Sequence, residues 1–494
     1  MIQQGILLLS ITSCLFGLAF YFFNKNQLYK ALFANGLGGF LLKGWCASDS
    51  FLHSWDERYH ALVAKNLMKH PLRPTLYDTP LFPYDFTAWG DNHIWLSKQP
   101  LPLWAIAASM KVLGVNEWAV RLPSLVVGTL AIGLTFLIAH QLFGEKIAFI
   151  ASFLHAIHGL TIEANAGRDS GDHIFTFFAF FIELGVYFAL LSDKSEQKRS
   201  FSILTGVSMG CAFLCKWQPA LLILPFWLAS QSNIQQIFKN ILPLSIAAFL
   251  VAAPWQFYIF QHFPTEAQWI FKAIFQPMTQ PTQGHSGAWW YYIEQTRITF
   301  GEIIYLPMLW LLYVFYRTPK QTHIRLLTVW LFVPLILLSA MATKRQYYLN
   351  EYAPAYFILT AFFLDFLKNN KEKTVFSPII AKILMVLLIL LPIRYSIERV
   401  KPFDMKIAEV EKARKIKEWK TKLTNAKITV VFNTKQPIET MFYHNIVAAY
   451  MFLPSQQQVD SLLLRGYIVA VGNDESIPAE LNQRTDIQFL ENHQ

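Results

Sequence analysis

The chain has 494 residues, 54% hydrophobic and only 15% charged, with 42 phenylalanines and a formal net charge of +10. A soluble domain carries about a quarter charged residues, so this balance excludes an ordinary soluble globular protein and indicates a membrane protein. The positive charge reads as loop lysines and arginines that orient spans and meet lipid headgroups, which leaves nucleic acid out as a partner, and four scattered cysteines exclude a disulfide framework.

Residues 1–23 open on an apolar run without a basic start or a small-x-small cleavage site, so they read as a retained anchor rather than a removed signal. Further apolar runs follow at 122–143, 146–166, 173–192, 201–215, 217–231, 240–260, 298–316, 326–342, 347–367 and 376–393. A span needs roughly 20 apolar residues, so with 6–23 these predict about eleven transmembrane helices. Residues 31–45, apolar and glycine-rich, are a candidate for a second short span, which also accommodates Lys25 and Lys30 directly after the first.

Alternate short loops hold Lys146; Lys194, Lys198 and Arg199; Lys239; Arg317, Lys320 and Arg325; then Lys368, Lys371 and Lys373. The opposite loops hold only Arg168, Lys216, Lys344 and Arg345. The positive-inside rule makes the first set cytoplasmic. Asp56, the segment around Asp169 and Asp172, residues 261–297, Lys344-Arg345 and the C-terminal tail are then outside.

The predicted organisation is a transmembrane domain over 1–394, with an external catalytic loop at about 46–121 and a second external loop at 261–297. In the first loop His70-Pro71, Pro74, Pro80 and Pro83 break helices, and 101–113 (LPLWAIAASMKVL) is apolar but too short to cross, so it is expected to lie along the interface. From 395 to 494 the composition changes. A lysine- and glutamate-rich helical stretch at 403–424 precedes strand-like 427–432 (KITVVF) and 466–471 (GYIVAV), predicting a small extracytoplasmic α/β domain.

The chemistry gathers around Ser54-Trp55-Asp56-Glu57-Arg58-Tyr59-His60. Charge is costly beside lipid, so such a cluster faces water or a site. Asp56 and Glu57 are read either as a solvated pair capping the helix that starts near Tyr59, or as a base that activates a hydroxyl at the membrane–water boundary. At the same predicted face, Arg168-Asp169-Ser170-Gly171-Asp172-His173 opens a span; one aspartate there offsets the helix dipole, and the rest of the cluster points to a shared external site. Lys98 reads as a snorkelling lysine or as a cation for a lipid-linked phosphate. Lys344-Arg345 with Tyr347-Tyr348 stand on the side where basic residues are disfavoured, and a phosphate supplies a reason. Trp289 to Tyr292 read as an interfacial aromatic belt, whereas His285, between glycines, reads as a ligand contact.

In this order the pieces resemble the GT-C glycosyltransferases that use polyprenyl-phosphate sugars, namely the protein O-mannosyltransferases and lipid A aminoarabinose transferases. Their Asp-Glu with a nearby Arg-Tyr-Ala is similar to Asp56-Glu57-Arg58-Tyr59, with His60 in place of alanine. Their Lys-Pro-Pro-Leu resembles Lys98-Gln99-Pro100-Leu101, and an Asn-Glu-x-Ala-Val-Arg-Leu-Pro-Ser stands intact from Asn116 to Ser124. The second external aspartate corresponds to Asp172, or less well to Asp169. The family's Lys-Gly appears as Lys216-Trp217, without the glycine; Pro254-Trp255, His285 with Trp289 to Tyr292, and Lys344 to Tyr348 with Pro354 complete the series. The resemblance spans roughly residues 50–365 and leaves the C-terminal domain uncovered.

The resemblance implies a GT-C fold and an inverting transfer of sugar from a polyprenyl-phosphate donor at the extracytoplasmic face of a bacterial inner membrane. Asp56 would be the general base and Asp172 would orient the acceptor or the first loop. Lys98, Lys344 and Arg345 would stabilise the departing phosphate, with Glu57, Arg58, Tyr59, Arg168, Asp169, His285 and Tyr347 as substrate contacts. The acceptor is a lipid, a protein or a glycan; no cofactor is expected, a divalent metal being left open. The alternatives are a transporter or flippase of a lipid-linked sugar, which predicts polar residues near the midplane, and a non-catalytic assembly protein. Glu183 is the one such intramembrane residue noted, and it has no assigned role.

Overall fold

The structure, a computed structural model, describes all residues except 1, 91, 169–171, 195–196, 370–376, 403, 405, 420–421, 424 and 492–494. The chain divides into two compact units: Met1–Ala47 with Ser124–Asp404, and Ser48–Pro123 with Met405–Gln494.

The first unit is helical. Every predicted apolar run coincides with helix, and Leu28–Cys46 is helical as well. Among the described residues six helices are long and apolar enough to cross a membrane: Gln3–Asn24, Glu117–Phe143, His173–Lys194, Ile234–His262, Thr322–Ala340 and Pro378–Val400. They make the chain an integral membrane protein. Counting each bent pair as one span brings the number to 8, short of the eleven expected. Two runs read as single spans are broken: 146–166 bends by 57° between Ile157 and Gly159, and 298–316 bends by 117° at Gly301, whose φ of +101° ends the preceding helix. The stretches at 201–231 and 347–367 form shorter helices and 3-10 turns.

Without a hydrophobic force between helices in lipid, close backbone approach and buried polar contacts carry the packing. Helix Lys198–Lys216 presents Gly206 and Gly210, one turn apart, to helix Ile234–His262. A Cβ on Gly206 would stand 2.1 Å from the Leu244 carbonyl oxygen, and one on Gly210 2.8 Å from that of Ala248. Glu183 is buried and accepts a hydrogen bond from Thr135 Oγ1 at 2.8 Å. Lys43, also buried, donates to the Gly128 carbonyl at 2.6 Å. Both intramembrane charges thus face the protein interior rather than lipid, as their cost demands.

The second unit contains a parallel sheet of β1 (Thr429–Phe432), β2 (Ala448–Ala449), β3 (Ile468–Asn473) and β4 (Gln488–Glu491), in the order β2-β1-β3-β4. Val430 pairs with Val469 and Val431 with Ala470. Parallel neighbours need crossovers, supplied here by helices Pro437–Tyr443 and Gln456–Leu464. Strands β1 and β3 are largely buried and so read as continuous apolar runs, which is why these two were visible in the sequence.

Residues 48–123 belong to this same unit, whereas the sequence reading assigned 46–121 to the transmembrane domain. The reason is a shared core: Leu62 and Val63 of helix Asp56–Leu67 and Leu103 and Ile106 of helix Pro100–Leu113 are buried in one cluster with Val430, Phe442 and Val469. Lys65 Nζ adds three hydrogen bonds, to the carbonyls of Met441 (2.7 Å), Phe442 (2.9 Å) and His444 (2.9 Å). The inner face of Pro100–Leu113, expected along the membrane interface, is therefore packed against protein.

Candidate active site

In the second unit, helix Asp56–Leu67 begins with two carboxylates in its first turn, where the dipole favours negative charge. The helix starts three residues earlier than the sequence suggested. Asp56 Oδ2 accepts from Lys98 Nζ at 2.9 Å, and both side chains remain partly exposed, at 16% and 17%. Lys98 is presented immediately before helix Pro100–Leu113, whose first-turn proline fits a helix start, and its ammonium lies 5.4 Å from the centroid of the Trp89 ring. A carboxylate, a cation and an aromatic face thus converge at a water-accessible position.

Glu57 has a different fate. It is buried, and Arg121 grips it with Nε to Oε1 at 2.7 Å and Nη2 to Oε2 at 2.9 Å. The backbone N–H of His53 donates to Oε2 at 2.6 Å. Arg121, itself buried, also donates to the carbonyls of Asp49 and Phe51, both at 2.5 Å. Glu57, expected as a substrate contact, is thus engaged by protein here: its carboxylate tethers the start of the Asp56 helix to Arg121. Arg121 was overlooked as a site residue, although the intact 116–124 motif contained it.

Arg58 is likewise turned to protein. Its Nη1 donates to Glu439 Oε1 at 3.0 Å, joining the first loop to helix Pro437–Tyr443 through a carboxylate of the C-terminal segment. Tyr59 stacks parallel to Trp95 with centroids 6.4 Å apart and meets Trp89 edge-on at 5.9 Å. Burial raises its phenol above the ordinary value, so it stays protonated at neutral pH. A Cβ on Gly90 would lie 2.6 Å from the Tyr59 hydroxyl, which leaves room there for glycine alone without a shift.

The first unit carries the other predicted residues. Lys344 is buried, and its Nζ donates to the carbonyls of Leu338 (3.2 Å) and Ser339 (2.6 Å) at the end of helix Thr322–Ala340. The last carbonyls of a helix lack partners, and a lysine there satisfies them, so Lys344, expected to meet a phosphate, is engaged at a helix end. Arg168, expected as a substrate contact, does the same for helix Pro378–Val400, donating to the Val400 carbonyl at 3.0 Å. Arg345 and Tyr347 are brought together, Nη1 to Oη at 2.5 Å, and Arg345 also donates to Gln283. The backbone N–H of Arg345 bonds the hydroxyl of Tyr292 at 3.0 Å; Tyr292 is fully buried and so no part of an aromatic belt, unlike exposed Trp289 and Trp290.

The side chain of His285 is exposed, while its carbonyl receives the N–H of Lys344 at 3.1 Å. Partial desolvation, and then the charge of Arg345, hold its imidazole below the ordinary value, so it is neutral at pH 7. Asp169 lies outside the described residues. Asp172 opens helix Asp172–Lys194, and its side chain is outside them too. Lys216, matched in sequence but given no role, donates to Glu351 and sits between the rings of Phe175 (4.0 Å) and Tyr348 (4.1 Å). Trp217 after it has φ +53°, the left-handed backbone that a glycine adopts freely, so this chain keeps the glycine conformation without the glycine. Among the described residues no group of three or more His, Cys, Asp or Glu is placed to hold a metal ion.

Residues 97–258 match the model of the family described as dolichyl-phosphate-mannose-protein mannosyltransferase. An undecaprenyl phosphate-alpha-4-amino-4-deoxy-L-arabinose arabinosyl transferase 2 of Pseudomonas fluorescens is 27% identical over 280 residues, which are 53% of this chain and 49% of that protein. The chain thus spans about half the length of the curated relatives it matches. Among solved structures, ArnT from Cupriavidus metallidurans bound to undecaprenyl phosphate aligns over 87% of both chains with a TM-score of 0.59 at 14% identity. The Archaeoglobus fulgidus oligosaccharyltransferase aligns over 86% of this chain and 65% of that one, with a TM-score of 0.56 at 12% identity. The resemblance to GT-C transferases is borne out: the chain is an α-helical polytopic protein of that fold with a small C-terminal α/β element.

Proposed function

We propose that the chain is an integral-membrane glycosyltransferase that moves a sugar from a polyprenyl-phosphate donor to an acceptor hydroxyl. The transfer occurs on the periplasmic face of the bacterial inner membrane, and the acceptor is a lipid, a protein or a glycan. The observation that carries this reading is the partly exposed Asp56–Lys98 pair, 2.9 Å apart, at the head of a helix tethered through the buried Glu57–Arg121 bridge. The names of the relatives, which join undecaprenyl phosphate to an aminoarabinose transferase, support the donor class.

The pair has the parts for a direct displacement. Donor binding brings a phosphate that competes with Asp56 for the Lys98 ammonium, leaving the carboxylate to accept the acceptor's hydroxyl proton. The acceptor oxygen bonds to the anomeric carbon from the face opposite the phosphate. The carbon–oxygen bond to phosphate breaks, and its electron pair leaves on polyprenyl phosphate. The configuration inverts, and Lys98 balances the charge that grows on the leaving oxygen.

The test measures release of free polyprenyl phosphate from polyprenyl-phosphate sugars by purified wild type and by Asp56→Asn, with folding checked by gel filtration. Release by wild type alone is the expected result. Equal release by both would remove Asp56 as the base and move the assignment to Asp172. No release with any donor, together with movement of the lipid-linked sugar across vesicles, would favour a flippase.

A further inference from the structure

Trp55, directly before Asp56, has φ +74° and ψ −120° and is 70% exposed. An L side chain rarely adopts that backbone, and for a bulky residue it is a true outlier. The conformation itself has a use, because it starts the helix at Asp56 and so sets the carboxylate beside Lys98. Glycine would make the same turn without strain. The turn therefore accounts for the backbone and not for the indole, and a ring so exposed recovers little of the strain through burial. Trp217, the other tryptophan with positive φ, is half-buried, so packing offsets its conformation. Trp289 and Trp290, exposed by 67% and 52%, have no positive φ, so presenting an indole to water or headgroups requires no such backbone in this chain.

We propose that the indole of Trp55 is the surface on which the sugar ring of the polyprenyl-phosphate donor rests, making it a specificity-determining residue. The proposal rests on the transferase reading. The anomeric carbon must come within bonding reach of a hydroxyl held at Asp56, so the sugar lies within a residue's length of Trp55. The apolar C–H face of a sugar packs on an aromatic ring while its hydroxyls stay in water. A wide rigid plane next to the base also restricts the orientations in which the anomeric carbon can be presented.

The experiment uses the full chain in lipid nanodiscs, as wild type, Trp55→Gly and Trp55→Phe. Two quantities are measured: the thermal midpoint, and the affinity for a panel of polyprenyl-phosphate mannose, glucose and 4-amino-4-deoxyarabinose against polyprenyl phosphate without sugar. Trp55→Gly is expected to raise the thermal midpoint, by relief of strain, while weakening the preferred glycosylated lipid about tenfold. Its affinity for the bare lipid phosphate stays unchanged, and Trp55→Phe recovers most of the loss. Equal weakening of both lipids would make the ring a bilayer or lipid contact and overturn the proposal, as would unchanged discrimination in Trp55→Gly. A wild type that prefers no member of the panel over the bare lipid overturns the donor reading itself, and this one with it.

Discussion

Asp56 and Glu57 are neighbours in sequence and nearly identical in chemistry, yet the fold treats them in opposite ways. Consecutive helical residues point about 100° apart, so one carboxylate reaches the solvent side while the other faces the core. Glu57 is sealed under Arg121, whereas Asp56 pairs with Lys98 and keeps access to water. A buried pair with bidentate geometry holds position but can bind nothing new. An exposed pair contributes little stability and can exchange its partner for a ligand. Two adjacent acids are thus divided between anchoring a helix and, in the proposed function, presenting a reactive group.

Substitutions can sharpen that comparison. Asp56→Asn is expected to lower turnover of a polyprenyl-phosphate donor by about a thousandfold, the range of a lost general base, with the thermal midpoint almost unchanged. Arg121→Met leaves Glu57 charged and buried without its guanidinium. It should destabilise the protein by about 3–5 kcal/mol, read by denaturant or thermal unfolding, with turnover per folded molecule much less affected. If Arg121→Met instead unfolded normally and lost turnover, the anchoring role of Glu57 would be the idea to abandon. Lys98→Met should cost about a hundredfold in turnover with stability held within about 1 kcal/mol, because an oriented charge is lost at the leaving group and little at the fold. The smallest effect belongs to Arg58→Ala, about 1 kcal/mol in stability through its partly buried bond to Glu439, with turnover near wild type. A large loss of turnover there would return Arg58 to the substrate.

Much of this was legible in the chain itself. The helical runs, strands β1 and β3 and the polar cluster around Asp56 follow from local patterns of apolarity and charge, which hold wherever the segment ends up. The partners of the basic residues were hidden for one reason. Lys344, expected to meet a phosphate, and Arg168 and Arg58, expected to contact substrate, show in the sequence a charge but not its partner. Two of them complete helix ends, at Ser339 and Val400, and the third meets a glutamate 381 positions away. The bends at 157–159 and at Gly301 were hidden for a related reason, since an apolar run is equally apolar straight or broken.

By itself the sequence determined that the chain is a helical membrane protein with a small α/β element, because hydrophobicity and strand-like runs are properties of short segments. It also marked the cluster around Asp56 as the candidate site, because a charge cluster in so apolar a chain needs a reason. Only the tertiary structure decided that the first loop folds with the C-terminal segment, that Glu57 is buried against Arg121, and that Lys98 is the cation Asp56 meets. Each of these depends on which distant groups share a core or a hydrogen bond, and only the folded chain sets those distances.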